Sequence, residues 1–216
     1  MQLSGVASAI DFRRPIEAIV PGVQGRVLAV LVETTAELNL RTVAQLAGVS
    51  QAQASRVLPR LVELGVVERR DVPPAAMFLL VRDHVASQAL LALTRSHDAV
   101  LDAMGRFAGE LVDPPVSVIV FGSFARREAT AESDIDVVVV RPREIDEDDE
   151  TWAESLESWR RQVRRLTGNA VEVLEMSPDE AAGRGSGDDP LWADIRRDGR
   201  VVHGLGFDAL RAAPRG

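Results

Sequence analysis

The sequence predicts an α/β protein, α+β in its segregation of elements, built as two domains. Three observations predict it. First, 216 residues suffice for two small domains, and 46% of them are hydrophobic, enough to bury a core in each. Second, the apolar pattern changes along the chain, from helical spacing in the first half to strand-length β-branched runs in the second. Third, residues 1–100 carry ten arginines against nine acids, while residues 101–216 carry 15 against 24, so the two halves differ in character. The expected divisions are residues 1–84, a helical linker at 85–112, and a domain over 113–216 with a small mixed sheet flanked by helices.

In the first half, Val27, Leu28, Val30, Leu31 and Val32 follow Gly25 at the spacing of a buried helix. Leu40-Arg41-Thr42 reads as a connector, with Thr42 as N-cap of a short helix over 43–46 that ends at Gly48. Ser50 caps the next helix, from about Gln51 to Leu64, stopped by Gly65. Ala54, Val57, Leu58, Leu61 and Val62 form its apolar stripe. Pro59 lies on the opposite face and predicts a kink on the solvent side. Residues 66–70 and 77–82 read as paired strands around a turn at 71–76. From Asp83 to Leu111 the spacing is again helical, giving one or two helices, with His97 on the apolar stripe.

In the second half, Val116 to Phe121 and Val137 to Val140 are apolar without alternation, which suits strands covered on both faces. Residues 144–150 form an acidic, solvated run. Trp152, Leu156, Trp159, Val163 and Leu166 mark one side of an amphipathic helix. Residues 170–174 read as a third strand, 183–189 as a loop, 190–197 as a helix and 200–203 as a short last strand.

Composition excludes several classes. No cysteine is present, so disulfides and Cys-zinc sites are excluded. His84, His97 and His203 are isolated, which argues for structural or surface roles. No apolar run approaches the roughly 18–20 residues of a membrane span, and the N-terminus lacks the basic start of a signal peptide. A cytoplasmic protein without membrane contact is expected. The net charge of −8 argues against a general nucleic-acid coat.

The chemistry concentrates in Gly122-Ser123, ten further residues, then Asp134-Ile135-Asp136. If Asp134 and Asp136 enter a strand, their i, i+2 spacing sets both carboxylates on one face. Adjacent carboxylates repel unless a positive charge lies between them, and a hard divalent cation with oxygen ligands supplies it. Magnesium would also bridge the phosphates of a bound nucleotide. Gly122 lets backbone approach a ligand closely, and the Ser123 hydroxyl with nearby N–H groups can hold phosphate oxygens. A third carboxylate would complete a two-metal site. Glu172 on the third strand is the first candidate and Glu175 the second.

These residues resemble the polymerase-β-type nucleotidyltransferase superfamily, most of all its minimal nucleotidyltransferase branch, whose motif is Gly-Ser, ten residues, Asp-x-Asp. The resemblance covers about residues 113–204. It implies that Asp134 and Asp136 bind Mg2+, that Gly122 and Ser123 contact the triphosphate of an NTP, and that Glu172 completes the metal site and serves as general base. The family often reads Gly-Ser-x-Ala-Arg-Gly. Ala125 and Arg126 match, Arg126 joining the nucleotide-binding set, while Arg127 stands where glycine is usual.

Residues 24–84 resemble a winged helix-turn-helix domain, carried by Thr42 to Ser50, Gln51 to Leu58 and Leu61 to Arg70. The resemblance implies binding to double-stranded DNA, with the helix face of Gln51, Gln53, Ser55, Arg56 and Arg60 toward the major groove. Arg69 and Arg70, with Arg82 as a further candidate, would carry charge on the wing. A homodimer is one arrangement such a domain uses. Three functions follow. The first is a DNA-linked transfer of NMP from NTP to a hydroxyl, in an antitoxin-like or regulatory role with a cognate toxin as partner. The second is a transcriptional regulator that senses nucleotide without catalysis. The third is an antibiotic-modifying nucleotidyltransferase.

Overall fold

The computed structural model describes residues 9–184 and 189–212. The chain divides into two compact units: residues 14–96, and the residues before Arg14 together with those from His97 onward. Residues 85–112, read as a linker, hold two helices, and the division falls at the start of the second.

The first unit opens with α1 (Pro15–Ile19) and α2 (Val23–Glu33), the latter burying Val27, Leu28, Leu31 and Val32. A two-residue strand, β1 (Leu38–Asn39), then leads directly into α3 (Leu40–Leu46). The sequence placed the cap of α3 at Thr42, but Asn39 takes that role, its side chain accepting from the Thr42 N–H at 2.9 Å. The reason is tertiary: β1 pairs with a distant strand, so the chain enters the helix straight from the sheet. Helix α4 (Gln51–Glu63) starts with a reciprocal capping box between Ser50 and Gln53. It buries Ala54, Leu58 and Leu61 and continues through Pro59, which lies on the exposed face. There the carbonyl that proline deprives of a partner can be hydrated.

Strands β2 (Val67–Val72) and β3 (Ala75–Leu80) form a hairpin around Pro73-Pro74, tighter than the turn read from sequence. The sheet order is β1-β3-β2, all antiparallel. Helix α5 (Val85–Thr94) follows, with the His84 ring nitrogen accepting from the Ala86 N–H. Ile16, Leu31, Val43, Leu58, Val67 and Phe78 are among the buried core of this unit.

The second unit begins with α6 (Ser96–Gly109), then β4 (Ser117–Phe121), α7 (Gly122–Ala125) and β5 (Ile135–Val140). Helix α8 (Glu150–Thr167), β6 (Val171–Met176), α9 (Pro178–Arg184), α10 (Pro190–Asp198), β7 (Arg200–Gly204) and α11 (Phe207–Ala212) complete it. The sheet order is β6-β5-β4-β7, with β5 and β6 parallel and the other pairs antiparallel. It is thus a mixed sheet, as the sequence predicts.

Strand alternation sorts the residues into two cores. Val118, Val120, Ile135, Val137 and Val171 pack with Met104, Trp152 and Trp159. Ile119, Val138, Val140 and Met176 pack with Trp192, Ile195 and Leu210. Both faces are covered, which explains the unbroken apolarity of β4 and β5. One residue of the expected α8 stripe differs: Leu166 is half exposed, and Thr167 is buried instead, its hydroxyl donating to the Val163 carbonyl. The loop read at 183–189 partly belongs to α9, which takes in 183 and 184, and residues 185–188 lie outside the described residues. No helix among the described residues is long and apolar enough to cross a membrane.

Candidate functional site

The site grows from the end of β4. Phe121 is the last strand residue, and Gly122 turns the chain into α7 with φ at 68°. On the neighbouring strand, Asp136 is the register partner of Phe121, and Glu172 on β6 is in turn the partner of Asp136. A side chain at Gly122 would meet the Asp136 carboxylate, since a Cβ there would collide with it. Glycine is needed at this position for two reasons, its left-handed backbone and the space it leaves to the acid. The one-face reading of the two aspartates required both to enter a strand. In the structure β5 begins at Ile135, so Asp134 stands exposed on the approach to the strand, while Asp136 is half buried within it.

Asp136 and Glu172 share the sheet face of Val138 and Met176 by strand alternation. Burial, followed by the charges of Asp134 and then Glu172, holds the Asp136 carboxyl above the usual carboxylate range, while Arg126 opposes the shift. Uncompensated negative charge of this kind, from oxygen donors only, suits a hard divalent cation. Among the described residues, however, no three acidic or histidine side chains are gathered closely enough to hold an ion. Glu175, the second candidate for a third acid, is engaged elsewhere: it accepts from the Trp152 indole at 2.8 Å and lies 3.6 Å from Arg141.

Ser123 is half buried on α7, and its carbonyl accepts from the Glu128 N–H. Arg126 ends α7. Its guanidinium donates to Glu128 at 2.9 Å and lies 3.7 Å from Asp198, in a cleft of about 480 Å³ that Arg197 and Arg200 also line.

Four residues outside the expected set hold this region together. Arg127 takes φ 62°, the conformation for which glycine is favoured, and its guanidinium donates to Asp98 at 2.5 Å. The adjacent His97 is buried, stacks on Phe124 with ring centroids 4.8 Å apart, and donates from Nε2 to the Phe124 carbonyl at 2.6 Å. Helix α6 therefore anchors both α7 and the turn after it. Asn169 is also buried, and its amide donates to the Ser133 carbonyl at 2.7 Å and the Thr130 carbonyl at 3.3 Å. It ties down the loop that delivers Asp134. His97 was visible in the sequence as a core residue, but no local pattern distinguishes Asn169 or Asp98.

In the first unit, Gln51, Gln53, Ser55, Arg56 and Arg60 are all exposed on α4. The Gln53 side-chain oxygen is engaged by the Ser50 N–H, and the Ser55 hydroxyl donates to the Ala52 carbonyl. Arg56 and Arg60 have no ion-pair partner among the described residues. On the wing, Arg69 pairs with Asp71 at 2.8 Å and Arg70 with Glu37 at 2.6 Å. Arg82 does not belong to the wing's charge. It donates to the Val32 and Thr34 carbonyls and closes the C-terminus of α2.

A family model described as a nucleotidyltransferase domain matches residues 104–183, and one described as an IclR helix-turn-helix domain matches residues 25–71. No curated protein matches the chain significantly. Among solved structures, a chain of a toxin–antitoxin crystallised with AMP-PNP is 12% identical, with a TM-score of 0.36, over 52% of this chain and 81% of that one. A chain of a mutant MntA–HpeT toxin–antitoxin is 10% identical, with a TM-score of 0.34, over 54% and 80% respectively. Both likenesses are low, and the domain assignment stands on the family matches.

Proposed function

We propose that this chain, in which a helix-turn-helix domain precedes a nucleotidyltransferase domain, binds double-stranded DNA and transfers an NMP from an NTP to a hydroxyl acceptor. The observation that carries the reading is the crowding at Asp136. A half-buried carboxylate stands over a glycine that leaves it room, with its proton affinity raised by burial, Asp134 and Glu172. Asp134, Asp136 and Glu172 would hold Mg2+, which when bound neutralises phosphate charge and steadies the leaving pyrophosphate. Gly122 admits the triphosphate close to the backbone, and Ser123 and Arg126 bind its oxygens. The acceptor oxygen attacks the α-phosphorus as the bond to pyrophosphate breaks, and Glu172 takes the acceptor's proton. The resemblance to minimal nucleotidyltransferases supports an antitoxin-like role in the cytoplasm, a cognate toxin protein being the acceptor and the helix-turn-helix domain acting on the chain's own operon.

One observation favours a second reading, a regulator that senses nucleotide without turnover: the three acids are not gathered into a ready ligand group among the described residues. Incubation with labelled NTPs and magnesium separates the two. Transfer activity is expected to release pyrophosphate and to be lost in the Asp134→Ala/Asp136→Ala double variant and in Gly122→Ala. Tight nucleotide binding without pyrophosphate release across protein and RNA acceptors would establish the sensor instead.

A further inference from the structure

Between α4 and the β2–β3 hairpin lies a cavity of about 660 Å³, within the size range of small-molecule sites. Leu40, Leu58, Val62 and Phe78 give it an apolar floor. Arg41 and Arg69 line it as well, and no acidic residue does. The cleft beside Arg126 is different, because Glu128 and Asp198 line it together with its arginines. Arg69 is already shared with Asp71, whereas Arg41 is exposed and has no ion-pair partner among the described residues.

Water hydrates the exposed Arg41 but leaves the apolar floor in contact with solvent, and a sugar-phosphate strand pairs with the cation without covering that floor. The cavity's complement is a molecule with an apolar body and one negative group. We propose that this cavity binds a small amphipathic anion, with its carboxylate or sulfonate on Arg41 and its apolar body on Leu58, Val62 and Phe78. Gln51, Ser55 and Arg69 line the same cavity and belong to the face expected to meet DNA. Occupancy therefore competes with DNA, a consequence that rests on the DNA-binding reading, while the binding itself does not.

Calorimetric titration of the full chain with decanoate, without DNA, tests the binding, with decanol as the uncharged match. Saturable binding at one site is expected. Arg41→Ala should weaken it about tenfold, the scale of one charge-assisted hydrogen bond, and decanol should be weaker by a similar factor. Ala75→Trp, at an exposed cavity-lining position, should abolish it. Absence of saturable decanoate binding overturns the proposal. So does binding unchanged by Arg41→Ala, or decanol binding as well as decanoate. In a second arm, decanoate should release the chain's own promoter fragment from wild type but not from Ala75→Trp. If decanoate binds as expected while no DNA is retained at all, the DNA-binding reading fails and the cavity stands. If decanoate does not bind and Ala75→Trp abolishes DNA retention, the cavity serves the duplex and the proposal is wrong.

Discussion

Arg127 donates to Asp98 across 2.5 Å while its own backbone is held at φ 62°. The left-handed conformation costs a non-glycine residue about 1–2 kcal/mol. An exposed ion pair returns about 0.2–1 kcal/mol, and both side chains here are about half exposed. The pair returns part of the conformational cost, so arginine can stand where the related family usually has glycine at a modest net penalty. Arg127→Gly is therefore expected to lie within about 1 kcal/mol of wild type in urea unfolding. Arg127→Ala loses the pair and keeps the strain, so it should be the less stable of the two. A glycine variant less stable than the alanine variant would refute the strain. The Arg127 guanidinium also holds the Asp98 carboxyl below its usual range. That contribution is present above the ordinary carboxylate pKa and is lost as pH falls through the lowered value, so the deficit of Arg127→Ala should shrink in acid.

Asp136 behaves in the opposite sense. Its folded carboxyl is raised, chiefly by burial, so between its unfolded and folded pKa the native state holds more protons than the unfolded chain. Stability then falls as pH rises through that window and stays lower above it. Asp136→Asn should melt at a higher temperature than wild type at pH near 7, and the gap should close as pH drops below about 4. Calorimetry over a pH series measures this, and equal melting temperatures at neutral pH would contradict the crowding at the site. The same variant should lose magnesium-dependent nucleotide binding, so stability and function move in opposite directions.

Asn169 is buried and joins the turn before β6 to the Thr130 and Ser133 carbonyls. Asn169→Ala removes the donor to the part-buried Ser133 carbonyl, while the Thr130 carbonyl keeps the Ser133 N–H, at a cost of about 1–3 kcal/mol. Hydrogen exchange should quicken at residues 130–135 before it changes elsewhere. Uniform acceleration over the whole unit would assign Asn169 to general stability rather than to holding the loop.

On α4, Arg56 and Arg60 are exposed and have no ion-pair partner among the described residues, whereas Arg69 and Arg70 are engaged by Asp71 and Glu37. Removing a pre-paired arginine also frees its acid, so wing substitutions mix two effects. Arg56→Ala/Arg60→Ala should weaken promoter binding more than Arg69→Ala/Arg70→Ala. It should also reduce the salt dependence by about one unit of slope for each phosphate no longer neutralised. Filter retention at several salt concentrations decides the comparison, and unchanged retention in the α4 pair would remove that helix from the DNA face.

Much of this protein was legible locally. Ser50 caps α4 through a neighbour three residues on, the β-branched runs of β4 and β5 form strands, and Gly122, Ser123, Asp134 and Asp136 mark one motif. Each depends on backbone propensity or short-range spacing, which a sequence states directly. What was not legible depends on partners far along the chain. Strand β1 is two residues long and exists because Leu38 and Asn39 meet Phe78 and Met77. Arg82 was expected on the wing, but its donors reach carbonyls about fifty residues away.

The same boundary runs through the candidate site. The sequence by itself determined the motif, its oxygen donors and the glycine that must precede them. Only the tertiary structure told Glu172 and Glu175 apart in position: parallel pairing of β5 with β6 sets Glu172 beside Asp136, while alternation turns Glu175 toward Trp152. Only the tertiary structure, too, showed how a non-glycine residue can hold the turn at Arg127: its counter-charge, Asp98, lies on a helix 29 residues earlier. Spacing along the chain encodes which face a side chain takes, but not which distant strand or helix will be packed against that face.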